Sequence, residues 1–220
     1  MKAHTLTDIH CHILPGVDDG AEDLDETKAM LLAAKAAGVT TIIATPHLRE
    51  KTADFERIRR AYYSAKPLFD ENGVELRLGF ECYYGMLLNG LDAKACTLHD
   101  TNVLLLEFSS GYLPMQWEND INGIQRMGLD VVIAHPERYG SIQHDIGVAE
   151  RMVEIGCELQ VSAGSLTGSL FSETRKCALR LLDKGLVGYI ASDAHCVEDY
   201  RLYSRVMAKY GCLMKRALTY

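Results

Sequence analysis

The chain has 220 residues, 48% of them hydrophobic and 24% charged, with 23 Lys+Arg against 30 Asp+Glu and a formal net charge of −7. This composition supports a sizeable core and argues against a nucleic-acid groove, which rewards clustered basic residues. No secretory leader opens the sequence and no apolar run approaches the roughly 20 residues of a membrane helix, so a soluble, cytoplasmic protein without membrane insertion is expected.

In chain order, the apolar pattern predicts a strand over 5–9, a helix over 25–37, a strand over 40–44, a helix over 54–71 and a strand over 76–79. It continues with a strand over 103–106, a helix over 115–127, a strand over 131–134, a helix over 148–155 and a strand over 159–161. A helix over 172–184, a strand over 187–191 and a helix over 199–210 complete the series. Most strands are near-continuous Val, Ile and Leu, as strands buried on both faces should be. Gly38, Gly73, Gly128, Gly156 and Gly185 each follow a predicted helix, where a left-handed cap is wanted. The elements form a single domain over 1–220.

About seven β–α units imply parallel strands with right-handed crossovers, and a closed or nearly closed barrel rather than an open sheet. An open doubly wound sheet would more often follow its first strand with a Gly-rich phosphate turn. Here His10-Cys11-His12 follows instead. The seven cysteines, Cys11, Cys82, Cys96, Cys157, Cys177, Cys196 and Cys212, lack any C-x-x-C spacing and read as buried free thiols rather than disulfides.

The informative pattern is what stands at the strand ends. His10 and His12 end the first, His47 follows the second, Glu81 the third and Glu107 the fourth. His135 ends the fifth, and Asp193 and His195 follow the seventh. In a parallel barrel these ends share one rim, the face where barrel active sites sit. His-x-His and Asp-x-His put both side chains on one side of an extended chain, because the side-chain period is two. Cys11 should therefore point away from the rim. Singly, each such residue is most simply a surface or core group, and His4, His99 and His144 are read that way. Six strand ends carrying such groups together point to a metal cluster.

Mixed imidazole and carboxylate donors suit Mn²⁺, Zn²⁺ or Fe²⁺ better than a structural thiolate site. Asp19, Glu81, Glu107 and Asp193 against three divalent ions leave a charge of about +2, which suits hydroxide and a phosphate dianion; with two ions the sum is about zero and Arg138 matters more. Arg138, three residues after His135, offers a bidentate fork for phosphate oxygens, with Arg201 and Arg49 as weaker candidates. Lys209, Lys215 and Arg216 read as a solvated helix face, with steering of an acidic peptide as the alternative.

Four motifs resemble the polymerase-and-histidinol-phosphatase (PHP) superfamily: Asp8-Ile9-His10-Cys11-His12, Thr45-Pro46-His47, His135-Pro136-Glu137-Arg138 and Ser192-Asp193-Ala194-His195. Gly16-Val17-Asp18-Asp19-Gly20, Gly79-Phe80-Glu81-Cys82-Tyr83-Tyr84 and Leu106-Glu107-Phe108-Ser109 narrow the resemblance to bacterial manganese-dependent protein-tyrosine phosphatases of capsule and exopolysaccharide loci. The resemblance implies a distorted (β/α)₇ TIM-like barrel with three divalent ions. One would be held by His10, His12, Glu81 and Asp193, a second by Glu81, Glu107 and His135, and a third by Asp19, His47 and His195, with Asp18 an alternative to Asp19. It implies phosphomonoester hydrolysis by a metal-activated hydroxide, with Arg138, His47 and Asp193 in catalysis and Arg138 and Arg201 on the phosphate. The implied partner is the phosphotyrosine tail of a polysaccharide-assembly tyrosine kinase. Histidinol phosphate or a nucleotide is the competing substrate, and a vestigial scaffold is the non-enzymatic alternative. A cysteine mechanism is disfavoured, because Cys196 and Arg201 stand one residue too close for Cys-x₅-Arg.

Overall fold

The computed structural model of the chain describes residues 6–49, 53–169 and 171–214; His4, Thr5, Lys215 and Arg216 lie outside the described residues. The strands are β1 (Leu6–Cys11), β2 (Val39–Ala44), β3 (His47–Leu48), β4 (Glu75–Leu78), β5 (Glu81–Tyr83), β6 (Val103–Glu107), β7 (Asp130–Ala134), β8 (Glu158–Ser162) and β9 (Val187–Ala191). The helices are α1 (Leu24–Ala36), α2 (Phe55–Asn72), α3 (Tyr84–Leu88), α4 (Trp117–Arg126), α5 (Gly140–His144), α6 (Gly147–Glu154), α7 (Glu173–Asp183) and α8 (Val197–Tyr210). Among the described residues no helix is long and apolar enough to cross a membrane.

The starts of α1 and α2 are fixed by side chains that satisfy otherwise orphaned N–H groups. Asp23 accepts from the N–H groups of Asp25 and Glu26, and Asp54 accepts from Arg57 at 2.9 Å. Such caps contribute about 0.5–2 kcal/mol each. The five glycines expected after helices all have positive φ, from 63° to 94°.

Every strand pairing is parallel, in two ladders: β1–β2–β4 and β3–β5–β6–β7–β8–β9. β3 prolongs β2 beyond Pro46, which lacks the N–H to continue a ladder, and β5 prolongs β4 beyond Gly79-Phe80. Nine strands thus make the seven staves expected. Among the described residues, the first and last staves meet at their upper ends, through a parallel bridge between Cys11 and Ala194. The Asp193 N–H donates to the His10 carbonyl at 2.8 Å, and the His12 N–H to the Ala194 carbonyl at 2.9 Å. Buried Asp8 reinforces the seam by accepting from the Ser192 N–H at 2.9 Å and the Ser192 hydroxyl at 2.6 Å. The seam is a bridge rather than a ladder, so the barrel is distorted there.

Side-chain alternation divides the core. Leu104, Leu106, Val131 and Ile133 join the large cluster that packs against the helices. Leu105, Val132 and Ala134 join Ile9, Ile43, Tyr189 and Ala191 in a smaller cluster that contains no helix residue, as the filling of a barrel does. Cys11 is fully buried in the large cluster, away from the rim as expected. Cys196 and Cys212 are exposed rather than buried, because α8 and the turn after it run along the surface.

Candidate metal centre

A register shift between Asp8 and Cys11 puts one extra residue into β1 relative to β2, immediately below the histidine pair. Bulges of this kind aim side chains at active sites. His10 and His12 are both buried. The His10 Nδ1 faces Gln160 Oε1 at 2.8 Å, and the His12 Nδ1 faces Asp18 Oδ2 at 2.7 Å. Both Nε2 atoms therefore turn inward and stand 3.3 Å apart. Glu81 Oε2 lies 3.4 and 3.6 Å from these two nitrogens, and Asp193 Oδ1 lies 3.5 Å from each. Donors at about 2.1 Å from a common tetrahedral centre stand roughly 3.4 Å apart, so His10, His12 and Asp193 form a three-donor group of cation-binding size, with Glu81 facing both histidines.

A second group comprises His12, Asp19, His47 and His195, whose donor atoms all lie within 4.8 Å of one another. Asp19 Oδ1 is 3.4 Å from Nε2 of both His47 and His195. The two neighbouring aspartates have different surroundings. The Asp18 side chain is buried, its Oδ2 also accepting the His47 N–H at 3.0 Å, whereas the Asp19 side chain is 64% exposed and turns to the two histidines. Burial would raise the Asp18 pKa, but the hydrogen bond and charge of His12 bring it down to about 2. Gly20 permits this loop: a Cβ there would fall 1.8 Å from the His12 carbonyl oxygen.

Glu81 joins the groups. Its Oε1 is 2.7 Å from His135 Nε2, and its Oε2 is 2.6 Å from His47 Nδ1 as well as facing His10 and His12. Glu107 Oε1 lies 3.9 Å from His135 Nε2. His135 and Asp193 both have left-handed backbone, with φ of 32° and 51°. Such conformations cost about 1–3 kcal/mol each and cluster at functional sites. Each is pinned through its N–H, His135 to Gln160 Oε1 at 3.3 Å and Asp193 to the His10 carbonyl. All nine residues read from the sequence as ligands are thus brought to one rim.

Beside them is a cleft of about 370 Å³, lined by Arg49, Tyr83, Glu107, Phe108, Ser109, His135 and Arg138 among others. Arg138 pairs with Asp193 Oδ2, which also accepts from the Ser162 hydroxyl at 2.9 Å. Arg49 grips Glu107 through Nε at 3.2 Å and Nη2 at 2.6 Å. Arg201 is not brought to the cleft. It is exposed, pairs with Glu198 at 3.0 Å and lines a groove between α1 and α8. The reason is local: Asp199 accepts the N–H groups of His195 and Cys196, so α8 starts at once, turning Tyr200 into the core and Arg201 outward.

Sequence reasoning missed Gln160 and Ser162, the buried polar groups of the stave that carries no ligand. Their signal was the alternation of polar and apolar residues in Glu158-Leu159-Gln160-Val161-Ser162, where the other strands are near-continuously apolar. The donor set fits divalent cations: the inward His10 and His12 nitrogens face each other, with each ring's other nitrogen already engaged.

Fold and rim together define a class, the TIM-like α/β barrel enzymes with a cluster of candidate metal ligands at the strand ends. The chain belongs to the family described as capsular polysaccharide synthesis, CpsB/CapC, whose family model matches residues 6–210. It is 33% identical over 211 residues to the tyrosine-protein phosphatase YwqE of Bacillus subtilis, covering 91% of this chain and 81% of that protein. It is 29% identical over 229 residues to the tyrosine-protein phosphatase CpsB of Streptococcus pneumoniae, covering 97% and 94%. A crystal structure from work on YwqE and CpsB, described there as unique metal-dependent tyrosine phosphatases, superposes with a TM-score of 0.83 at 31% identity, covering 94% of this chain and 88% of that one. An organophosphorus hydrolase variant from Deinococcus radiodurans, at 13% identity and a TM-score of 0.52, covering 86% and 76%, shares the fold alone.

Proposed function

We propose that the protein is a metal-dependent protein-tyrosine phosphatase that acts in the cytoplasm on the phosphorylated tail of a polysaccharide-assembly tyrosine kinase. Its nine rim residues would hold three divalent ions, Mn²⁺ before Fe²⁺ or Zn²⁺. The observation that carries this reading is the cleft, whose lining brings Arg138 and Arg49 together with His135, Glu107, Tyr83 and Phe108. The relatives' activity as tyrosine phosphatases supports it.

Bound divalent cations would supply an activated water and neutralise charge on the phosphoryl group. The chain's own residues do the rest. The Arg138 and Arg49 guanidiniums present planar forks suited to phosphate oxygens, each now held on a rim carboxylate that a cation would engage instead. Glu81, with one oxygen toward His135 and the other toward His10, His12 and His47, is placed to join two ions. His47 has both nitrogens directed at carboxylates, Glu81 and Asp19, and so belongs to the ligand network rather than to proton delivery. A phenolate, with a pKa near 10, leaves without a dedicated acid.

The test is a substrate panel after metal stripping and reloading with Mn²⁺, Fe²⁺ or Zn²⁺ separately. Metal-dependent turnover of a phosphotyrosine peptide, well above phosphoserine peptide and histidinol phosphate, is expected. Preferential turnover of histidinol phosphate or a nucleotide would replace this reading with the small-molecule one.

A further inference from the structure

β8 contributes no ligand to the rim, yet its Gln160 is fully buried beneath it. The Gln160 Oε1 accepts from the His135 backbone N–H at 3.3 Å and faces His10 Nδ1 at 2.8 Å. A backbone N–H is only ever a donor, so this contact fixes which end of the amide is oxygen. An amide oxygen only accepts, so the His10 Nδ1 beside it must carry a proton. From these contacts we infer that Gln160 is a positioning residue that sets the His10 tautomer, presenting the Nε2 lone pair toward His12, Glu81 and Asp193.

A second observation points the same way. The Gln160 Nε2 is buried with no hydrogen-bond partner among the described residues. A buried donor left unmade carries a desolvation cost that an aliphatic side chain of similar size would avoid. The amide is a poor packing choice at this position and a good acceptor. Outer groups of this kind orient metal-binding histidines and commonly change metal affinity by about 10–100-fold when removed.

The inference rests on the metal-centre reading above, and titration of stripped protein separates the two. Wild type, Gln160→Leu and Gln160→Glu are titrated with Mn²⁺ by calorimetry, with bound metal counted by elemental analysis. Gln160→Leu, which lacks any acceptor, is expected to weaken the tightest site by about 10–100-fold. Gln160→Glu, which keeps both accepted hydrogen bonds, is expected to bind close to wild type. Equal affinity of wild type and Gln160→Leu, or an equal loss in both variants, overturns the inference and leaves the metal centre standing. Wild type that binds no Mn²⁺ or Zn²⁺ overturns both. If Gln160→Leu does not fold, NMR of the Zn²⁺-loaded wild type decides: a protected His10 Nδ1–H resonance is expected, and ligation through Nδ1 defeats the idea.

Discussion

Asp18 Oδ2 and His12 Nδ1 stand 2.7 Å apart, and the same oxygen accepts the His47 N–H at 3.0 Å. One buried carboxylate thus orients a histidine of the β1 pair and ties its loop to β3. Its neighbour Asp19 extends toward His47 and His195. Asp18→Ala is expected to lower metal affinity at the His12 group by about 10–100-fold, as the loss of an outer hydrogen-bond partner does. Asp19→Ala is expected to remove one ion from the stoichiometry while the rest stay bound. Elemental analysis with calorimetric titration distinguishes the two, and identical behaviour of both variants would contradict these separate roles.

Metal binding should expel protons. In the metal-free rim, burial disfavours charge on His10 and His12, yet Glu81 and Asp193 beside His10, and Asp18 and Asp193 beside His12, raise both imidazoles above their ordinary range. Burial opposes ionisation of Glu81 and Asp193 too, but the facing histidines hold both well below the usual carboxylate range. A cation needs the imidazole lone pairs, so it competes with those protons. Affinity should therefore fall as pH drops through the raised imidazole range and recover above it. Titrations in buffers of different ionisation enthalpy should report proton release, and bound metal should already decline before the pH falls to the ordinary imidazole pKa of about 6.5.

The arginines separate substrate from metal. Arg138→Ala is expected to cost about 10²–10³ in turnover, the usual effect of losing one donor to developing negative charge, with metal content retained. Arg49→Ala should fall in the same direction, because it shares the cleft. Arg201→Ala should stay near wild type, because its side chain lies on the outer face of α8 beside Glu198. Steady-state kinetics on a phosphotyrosine peptide check all three, and a large loss from Arg201→Ala would show that α8 rearranges when substrate binds.

Tyr139 supports the rim from beneath. Its hydroxyl donates to the Ala134 carbonyl at 2.6 Å and accepts the Phe108 N–H at 2.9 Å, tying the end of β7 to the segment after Glu107. Tyr139→Phe leaves both backbone groups buried and unmet, at about 1–3 kcal/mol each. A fall in Tm of several degrees is expected, at roughly 2–4 °C per kcal/mol for a domain of this size. An unchanged melting curve would show that water replaces the hydroxyl.

Much of this centre is legible in the sequence for a geometric reason. Parallel β–α units send every strand end to one rim, so His10, His12, His47, Glu81, Glu107, His135, Asp193 and His195 declare themselves by position alone. β3 and β5 do not, because two or three residues after a proline or glycine carry no periodicity. α3 and α5 escape for the same reason, at five residues each. Gln160 and Ser162 acquire meaning only once β7 and β9 stand beside them. Arg201 misleads because spacing after Asp-x-His says nothing of where a helix begins. The Asp199 cap settles that, and with it the direction of the side chain.

The seam between β1 and β9 has one more consequence. Two members of the three-donor group, His10 and His12, come from the first dozen residues, and the opposing Asp193 from close to the last helix, with the backbone of each pair bonded to the other. A chain still being synthesised has an open ring until Ser192 arrives to dock on Asp8. The group of His10, His12 and Asp193 is therefore a late product of folding, and tight metal capture serves as a certificate that the two ends of the barrel have met.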